Sequence, residues 1–397
     1  MVKDMKLDVL LTDGDYKNTY AILRALKEKG LKVGILFNNV YSLSFFSKLV
    51  DKKFRVKTRL RKNPNEDKFN DFKEEVVTIL KNNEISVFMP VGNISYKFAS
   101  CYKYELQKYC NLTLVDEDIM AIAQDKRKTF EFAQKFNIPI PRTFNLNRVD
   151  EINDIAKKMS YPCVIKKTNY NESGVIYCNN KNELIENYSL LCRKRKGKMS
   201  LPIVQEYIVG PGAGYYGLYD NGKCVGYFMH QRIHEFPITG GASTLAKSVF
   251  DPELKLLGDK LLRNMNWHGV AMVEFKKDLK DGKFKLMEVN PKFWGSFELS
   301  HKSGINFAYL NYLVAMQQQV PESKYENNVY FRWTLPYDLL WYRFVSKKQR
   351  KNFRDLKTKV KIHSDIHWDD PLTVIYNFLF TLFKLFKEKK FPHGHIQ

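Results

Sequence analysis

Cysteine is scarce in this chain, and its six residues form neither a C-x-x-C pair nor a disulfide-like spacing: Cys101, Cys110, Cys163, Cys178, Cys192 and Cys224. The first 14 residues also lack a long apolar segment before their first acidic turn, which argues against a secretory signal. We therefore expect a cytoplasmic protein with reduced thiols.

Acidic residues are in deficit, with 43 Asp and Glu against 65 Lys and Arg, so the formal net charge is +22. An excess of basic residues of this size favours contact with phosphates, anionic lipid or nucleic acid. Because no recognisable nucleic-acid module is present, we expect no nucleic-acid partner.

The phosphate-binding pattern G-x-G-x-x-G is missing after the first predicted strand, which argues against dinucleotide binding. Apolar runs nevertheless alternate with helical periodicity over the first 115 residues. The pattern predicts strands at 7–11, 31–37, 85–89 and 112–115, with helices at 16–29, 69–80 and 96–109. It indicates an α/β domain with a parallel sheet.

A predicted hairpin at 269–296 carries the clearest chemistry. If 280–282 form its loop, with Gly282 at positive φ, Glu274 faces Glu288 and Asn290 points to the same side. Opposed carboxylates about 5 Å apart are destabilising unless a cation lies near them, and Mg²⁺ is the natural candidate. The alternative is a two-residue loop, which shifts the register and makes both glutamates ordinary surface charges.

Glu274, the E-x-N-P motif at 288–291 and the following Gly295-Ser296 together resemble the metal-binding end of the ATP-grasp ligase superfamily. The resemblance implies that Glu274, Glu288 and Asn290 hold Mg²⁺ or Mn²⁺. It also implies an α/β architecture, with a parallel-sheet pre-ATP-grasp domain at 1–115 followed by α+β ATP-grasp domains at 116–320. A small lid subdomain is expected at about 160–206 and a basic carboxy-terminal extension at 321–397.

The same resemblance implies a nucleotide site. Lys126 opens a helix with D-K, and Lys166 ends a strand beside a polar loop, so both are expected to reach the ATP phosphates. The remaining candidates are in the loop and in the adenine hinge: Ser173, Gly174, Gln205, Glu206 and Ile208. Where relatives commonly have an acid for the ribose hydroxyls, this chain has Gly212 and Gly214.

Two cations are the candidates for phosphoryl transfer. We expect Arg232 and the Gly240-Gly241 pair beside the transferring group, because its developing charge needs a fixed cation and close backbone donors. Lys292 occupies the position where many members have Arg, and it keeps a charge without the planar fork. His230 and His234 are expected to be structural.

The resemblance implies an ATP-dependent ligase that joins a carboxylate to an amine through an acyl phosphate. One ATP-grasp unit without a glutaminase or biotin carrier favours amino-acid or peptide ligation over carbamoyl-phosphate synthesis and biotin carboxylation. The expected partners are ATP and small-molecule or lipid-linked acid and amine substrates, with a homodimer possible. The alternative is a weak or inactive nucleotide-binding module at a membrane.

The carboxy-terminal segment carries nine basic residues and one acid between 343 and 361, followed by an apolar stretch at 371–386. This stretch is shorter than the ~20 residues that a membrane span needs. It predicts either a helix on the inner face of the membrane, which would suit a cell-envelope substrate, or a helix packed on the protein body.

Overall fold

The computed structural model describes residues 6–39, 42–60, 64–168, 174–194, 200–238 and 241–387. The amino-terminal part is a parallel sheet in the order β3-β2-β1-β4. Its strands are β1 (Leu7–Leu11), β2 (Val33–Phe37), β3 (Lys52–Arg55) and β4 (Ile85–Met89). β1 and β2 are apolar runs buried on both faces, as parallel strands usually are. The predicted parallel-sheet domain is confirmed.

The sheet is accompanied by α1 (Lys17–Lys27), α2 (Glu66–Lys81), α3 (Asn93–Cys101) and α4 (Lys103–Leu106). The single helix expected at 96–109 is therefore two, separated at Tyr102, whose φ of −111° is not helical. The strand expected at 112–115 is wrong: these residues form no strand, and only the preceding Asn111 makes an isolated bridge, to Val87. Its apolar side chains are core residues instead.

A smaller antiparallel sheet follows, in the order β5-β8-β6-β7. It contains β5 (Thr143–Asn145), β6 (Cys163–Lys166), β7 (Val175–Cys178) and β8 (Ile203–Glu206). The helices of this region are α5 (Glu117–Gln124), α6 (Lys126–Lys135), α7 (Ile152–Lys158) and α8 (Lys181–Lys194). β5 and α7 precede residue 160, so the small sheet begins earlier than the expected lid.

The third sheet has the order β13-β12-β9-β10-β11-β14-β15. Its strands are β9 (Gly212–Asp220), β10 (Lys223–Phe236), β11 (Ala242–Ser248), β12 (Gly269–Lys277), β13 (Phe284–Asn290), β14 (Tyr330–Arg332) and β15 (Ile362–Ser364). Three helices accompany it: α9 (Pro252–Asn264), α10 (Phe297–Lys302) and α11 (Phe307–Ala315). The large sheet and the parallel sheet share one apolar core.

The segment after residue 320 is built into this body, because β14 and β15 extend the large sheet. It also contains α12 (Leu339–Phe344), α13 (Lys347–Lys359) and α14 (Pro371–Lys387). Among the described helices, none has the length and apolar character needed to cross a bilayer.

Candidate active site

The β12–β13 hairpin brings the two glutamates together. Glu274 pairs directly with Glu288, as the sequence predicted, and Met272 pairs with Asn290. The connection is longer than expected, since the strands end at Lys277 and Phe284. A register shift between Glu274 and Phe275 restores the predicted pairing, so the glutamates face each other despite the wrong loop length.

Side-chain cations offset the repulsion between these carboxylates. Lys126 at the start of α6 donates to Glu288 at 2.6 Å, and Arg232 from β10 donates to Glu274 at 2.7 Å. The Asn290 amide donates to Glu274 at 3.3 Å and to Glu288 at 3.1 Å. The expected positive charge beside the opposed acids is therefore present, and Lys126 and Arg232 supply it.

The two acids differ in their electrostatics. Burial raises the pKa of Glu274, and the Arg232 guanidinium opposes that effect. Burial acts in the same direction on Glu288, but Lys126 and Asn290 outweigh it and hold the pKa of Glu288 below its usual range. Glu288 is thus the more firmly ionised carboxylate of the pair.

These groups stand in one cleft of about 790 Å³ between the small sheet and the large sheet. Eleven of the twelve site residues expected from the sequence line it: Lys126, Lys166, Gly174, Gln205, Glu206, Ile208, Arg232, Glu274, Glu288, Asn290 and Lys292. Ser173 and Gly240 lie outside the described residues. Residues separated by more than 160 positions in sequence therefore converge on one surface.

A family model described as ATP-grasp in the biosynthetic pathway with Ter operon matches residues 231–334. The chain is 22% identical over 213 residues to the carbamoyl phosphate synthase large chain of Methanosphaerula palustris, covering 50% of this chain and 20% of that protein. A match to the corresponding Methanobrevibacter smithii protein covers 25% of it, so the chain spans a quarter or less of these curated relatives.

Two solved structures share the fold. One is the biotin carboxylase domain dimer of 2-oxoglutarate carboxylase from Hydrogenobacter thermophilus, in complex with MgADP, ADP and bicarbonate. It has a TM-score of 0.65 at 17% identity, over 82% of this chain and 74% of that chain. The other is L-amino acid ligase from Bacillus licheniformis, with a TM-score of 0.61 at 17% identity, over 79% and 75%. The family model over residues 231–334 and the shared fold confirm the resemblance to the ATP-grasp superfamily.

At the hinge of this ATP-grasp cleft, Gln205 is buried in β8. Its amide nitrogen donates to Thr143 at 2.8 Å, whereas its carbonyl oxygen is buried without a donor among the described residues. A buried acceptor without a donor costs free energy, and an exocyclic amino group could satisfy it. Glu206 is less available, because its carboxylate accepts the backbone N–H of Arg142 at 2.8 Å.

Glu235 is a cleft residue that the sequence reasoning missed. A Cβ at Gly212 would lie 3.5 Å from the Glu235 carboxylate, so β10 places an acid beside the position where β9 has glycine. Its ion pair with Arg232 is long, at 3.6 Å. Strand alternation could not identify Glu235, because β-bulges interrupt β10 between Arg232 and Glu235 and break the regular alternation of its side chains.

Lys276 and two residues of the extension were also missed. Lys276 lies two positions after Glu274 on β12, and it donates to the Ile208 carbonyl at 3.2 Å. The two-residue spacing from Glu274 could have identified it. Trp341 and Gln349 also border the cleft. No local pattern points to them, because their position depends on how α12 and α13 pack on the sheet.

Two lysines in the ATP-grasp cleft have lowered pKa values. Burial, reinforced by the neighbouring Lys126 ammonium, lowers the pKa of Lys166 to about 8. Burial also lowers the pKa of Lys292, against the attraction of Glu288, Glu274 and Asp13. Neither lysine has an ion-pair partner in the described chain, so each is suited to meet an anionic ligand.

The oxygen donors fit a hard divalent cation. Asn290 lies within hydrogen-bond reach of both Glu274 and Glu288, and the three side chains offer carboxylate and amide oxygens. Mg²⁺ typically takes one or two carboxylates together with substrate phosphates. The described chain holds no group of three or more His, Cys, Asp and Glu side chains placed to bind a metal ion. Phosphate oxygens and water are the usual additional ligands of Mg²⁺.

The histidines of β10 are held within the protein. His230 contacts Tyr216 and lies 2.8 Å from Ser296, while His234 bonds Asp338 at 3.0 Å. Burial lowers the pKa of His230 to about 3, so it is neutral near pH 7. Both contacts support the structural role expected from the sequence.

Proposed function

We propose that this protein is an ATP-dependent ligase that joins a carboxylate to an amine through an acyl phosphate. The observation that carries the proposal is the convergence in one cleft of the Glu274–Glu288 pair, Asn290 and the cations Lys126, Lys166, Arg232 and Lys292. Two carboxylates surrounded by four cationic side chains suit a nucleoside triphosphate bound together with a divalent cation.

Each end of ATP has matching groups. Gln205 offers its unpaired carbonyl oxygen to the adenine amino group, and the hinge at Ile208 contributes backbone groups. Glu235 stands where it can accept hydrogen bonds from the ribose hydroxyls. Lys126 and Lys166 bind the phosphates, and phosphate contact favours the charged form of Lys166.

The chemistry then needs positioning and charge stabilisation. A substrate carboxylate oxygen forms a bond to the γ-phosphorus as the bond to the leaving ADP oxygen breaks, and Arg232 and Lys292 stabilise the developing charge. The amine nitrogen next attacks the acyl carbon, inorganic phosphate leaves, and the nitrogen loses a proton. When bound by Glu274, Glu288 and Asn290, Mg²⁺ or Mn²⁺ supplies Lewis-acid neutralisation of phosphate charge.

A screen for substrate-dependent ADP release tests this function. Carboxylic acids are offered with MgATP and hydroxylamine, a small amine that traps acyl phosphates as hydroxamates. We expect at least one acid to give equal amounts of ADP and hydroxamate. Tight MgATP binding without ADP release for any acid would instead support a nucleotide-binding module.

A second proposal concerns membrane contact, because α14 is turned with its apolar face outward. Thr373 and Thr381 are buried against the body, at 1% and 2% exposure. Thr373 donates to Tyr20 at 3.1 Å, and Tyr376 stacks on Phe46 at 5.3 Å. The outer face is more than half exposed: Leu372, Ile375, Phe378, Leu379 and Phe383. Trp368, just before the helix, is 77% exposed.

We propose that this apolar face lies on an anionic lipid surface. The expected packing of α14 on the body is present, yet contiguous exposed apolar residues of this kind mark an interaction site. Charge complementarity selects the partner, since the basic α13 and a net charge of +22 favour anionic headgroups. A lipid-linked or cell-envelope acceptor would then be met at the surface where the ligase is held.

Vesicle sedimentation of the full chain tests the membrane proposal. We expect binding to vesicles that contain anionic lipid, weakened by salt and by neutral lipid. The double variant Leu379→Ser/Phe383→Ser should reduce binding about tenfold. Leu256→Ser is the control, because Leu256 is a similarly exposed leucine on α9, and it should not reduce binding. The membrane proposal would be overturned if the wild-type protein stayed in the supernatant at low salt. It would also be overturned if the protein were a dimer that the α14 variant dissociates, because the apolar face would then be a dimer interface.

A further inference from the structure

A second cavity, of about 150 Å³, lies at the edge of the parallel sheet. At the liquid volume of about 30 Å³ per water, it has room for about five waters or for one small molecule of similar volume. Its polar lining includes Asp13, Asp15, Asn38, Arg59 and Ser95. We call it the sheet-edge cavity.

The topology places the sheet-edge cavity where α/β sheets bind ligands. Crossovers from β1 lead to β2 and β3 on one side, while β4 lies on the other side of β1. Ligands occupy the crevice outside the carboxyl ends of strands at such a switch point. The polar groups follow the strand order, with Arg59 after β3, Asn38 after β2 and Asp13 after β1.

The sheet-edge cavity contains a carboxylate without a cationic partner. Asp13 sits at a φ of 56°, and its side chain accepts hydrogen bonds from Thr12, from the Gly92 N–H at 2.7 Å and from Ser95 at 3.0 Å. Burial raises the pKa of Asp13, and these donors oppose it. No described lysine or arginine forms an ion pair with Asp13 or Asp15.

Two further groups in this cavity await a partner. The side-chain oxygen of Asn38 is buried without a donor in the described chain. Arg59 forms no ion pair with any described carboxylate, although it lies within electrostatic reach of Tyr16 together with Asp13 and Asp15. The described charged groups of the lining are two carboxylates and one guanidinium, in a protein of net charge +22. A ligand with both a positive and a negative group complements this set.

The sheet-edge cavity adjoins the ATP-grasp cleft through α3. Asn93, the first residue of α3, borders the cleft, and Ser95 borders the cavity. Lys292 on the cleft side is within electrostatic reach of Asp13. A ligand held in the cavity with one end at Ser95 would therefore direct that end toward the groups proposed for phosphoryl transfer.

Resting on the ligase function proposed above, we infer that the sheet-edge cavity binds the acid substrate as an amino acid with an acidic side chain. Its ammonium lies against Asp13, Asp15 and Asn38, and its α-carboxylate points along α3 toward Lys292. Arg59, at the far end of the row, pairs with the side-chain carboxylate. The remaining polar groups of the cavity thereby gain complementary partners.

The test compares matched acids in the ADP-release assay with hydroxylamine. Glutamate is set against glutarate, which lacks the amino group, and against glutamine, whose side chain is neutral; aspartate, succinate and asparagine form the shorter series. We expect kcat/KM to be at least tenfold higher for one acidic amino acid than for either analogue. Asp15→Asn should abolish the advantage over the deamino acid, and Arg59→Gln the advantage over the amide.

Asp15 is the primary site to vary, because Asp13 joins the β1–α1 loop to the start of α3 through Gly92 and Ser95, and its replacement could disturb the fold. Asp118→Asn on α5, an exposed carboxylate away from both cavities, serves as the matched control. Equal use of acids with and without the amino group would overturn this inference alone. Failure of every acid to promote ADP release would overturn both this inference and the ligase function.

Discussion

Lys166 should make nucleotide affinity depend on pH. Burial and the neighbouring Lys126 ammonium lower the pKa of Lys166 to about 8, well below the ordinary value for lysine. Phosphate binding requires its ammonium form, because the charge-assisted hydrogen bond disappears when the amine is neutral. Affinity for ATP should therefore be nearly full at pH 7 and decline as the pH rises through 8.

The magnitude follows from the protonated fraction. With a pKa of about 8, roughly nine-tenths of Lys166 is charged at pH 7 and roughly one-tenth at pH 9, so the dissociation constant for MgATP should rise about tenfold. The effect on folding has the opposite sign. The unfolded chain binds the extra proton between pH 8 and about 10.4, so this group contributes stability that increases with pH.

Isothermal titration calorimetry of MgATP between pH 7 and pH 9 measures the change. Lys166→Arg is the control, since a guanidinium remains charged throughout that range and should flatten the profile. Lys166→Ala should bind weakly at every pH. Wild-type affinity that is unchanged at pH 9, or an equal decline in Lys166→Arg, would refute the assigned role of Lys166.

Glu288→Gln should retain the fold and most nucleotide affinity but lower kcat by about 10³-fold. Glu253→Gln, on the exposed side of α9, is the control and should match wild type. Wild-type turnover by Glu288→Gln would contradict the metal role of Glu288. Arg232→Ala should reduce kcat by about 10²-fold with little change in ATP affinity, since its cation acts mainly on developing charge, and lost affinity with an unchanged saturated rate would reverse that assignment. Glu235→Gln should remove the preference for ATP over 2′,3′-dideoxy-ATP, which competition binding measures; wild-type discrimination by this variant would exclude Glu235 from the ribose site.

The sequence predicted those parts of the cleft that depend on strand alternation. Glu274, Glu288 and Asn290 share one face because side chains on a strand alternate with a period of two, and the turn glycine Gly282 has the expected positive φ of 73°. The loop length was wrong, because the register shift at Phe275 leaves no compositional signal. β3, with the sequence KKFR, was missed since its charged residues do not resemble a strand.

Other features depend on tertiary contacts that no local pattern records. Trp341 and Gln349 border the cleft because β14 pairs with β11 in the large sheet, which positions the helices that follow it, α12 and α13, beside the cleft. The alternatives for α14 were a membrane face or a packed helix, and the structure combines packing with an exposed apolar face, because polar threonines form the buried side. Hydrophobic periodicity assumes the reverse orientation.

The transfer of oxygen from the acid to phosphate tests the central claim most directly. An acid that promotes ADP release is labelled with ¹⁸O in its carboxylate and incubated with MgATP and an amine, and the inorganic phosphate is analysed by mass spectrometry. Activation of the carboxylate by phosphorylation predicts one ¹⁸O atom in the phosphate for each amide bond formed. Phosphate without the label, released together with the amide product, would contradict the acyl-phosphate route.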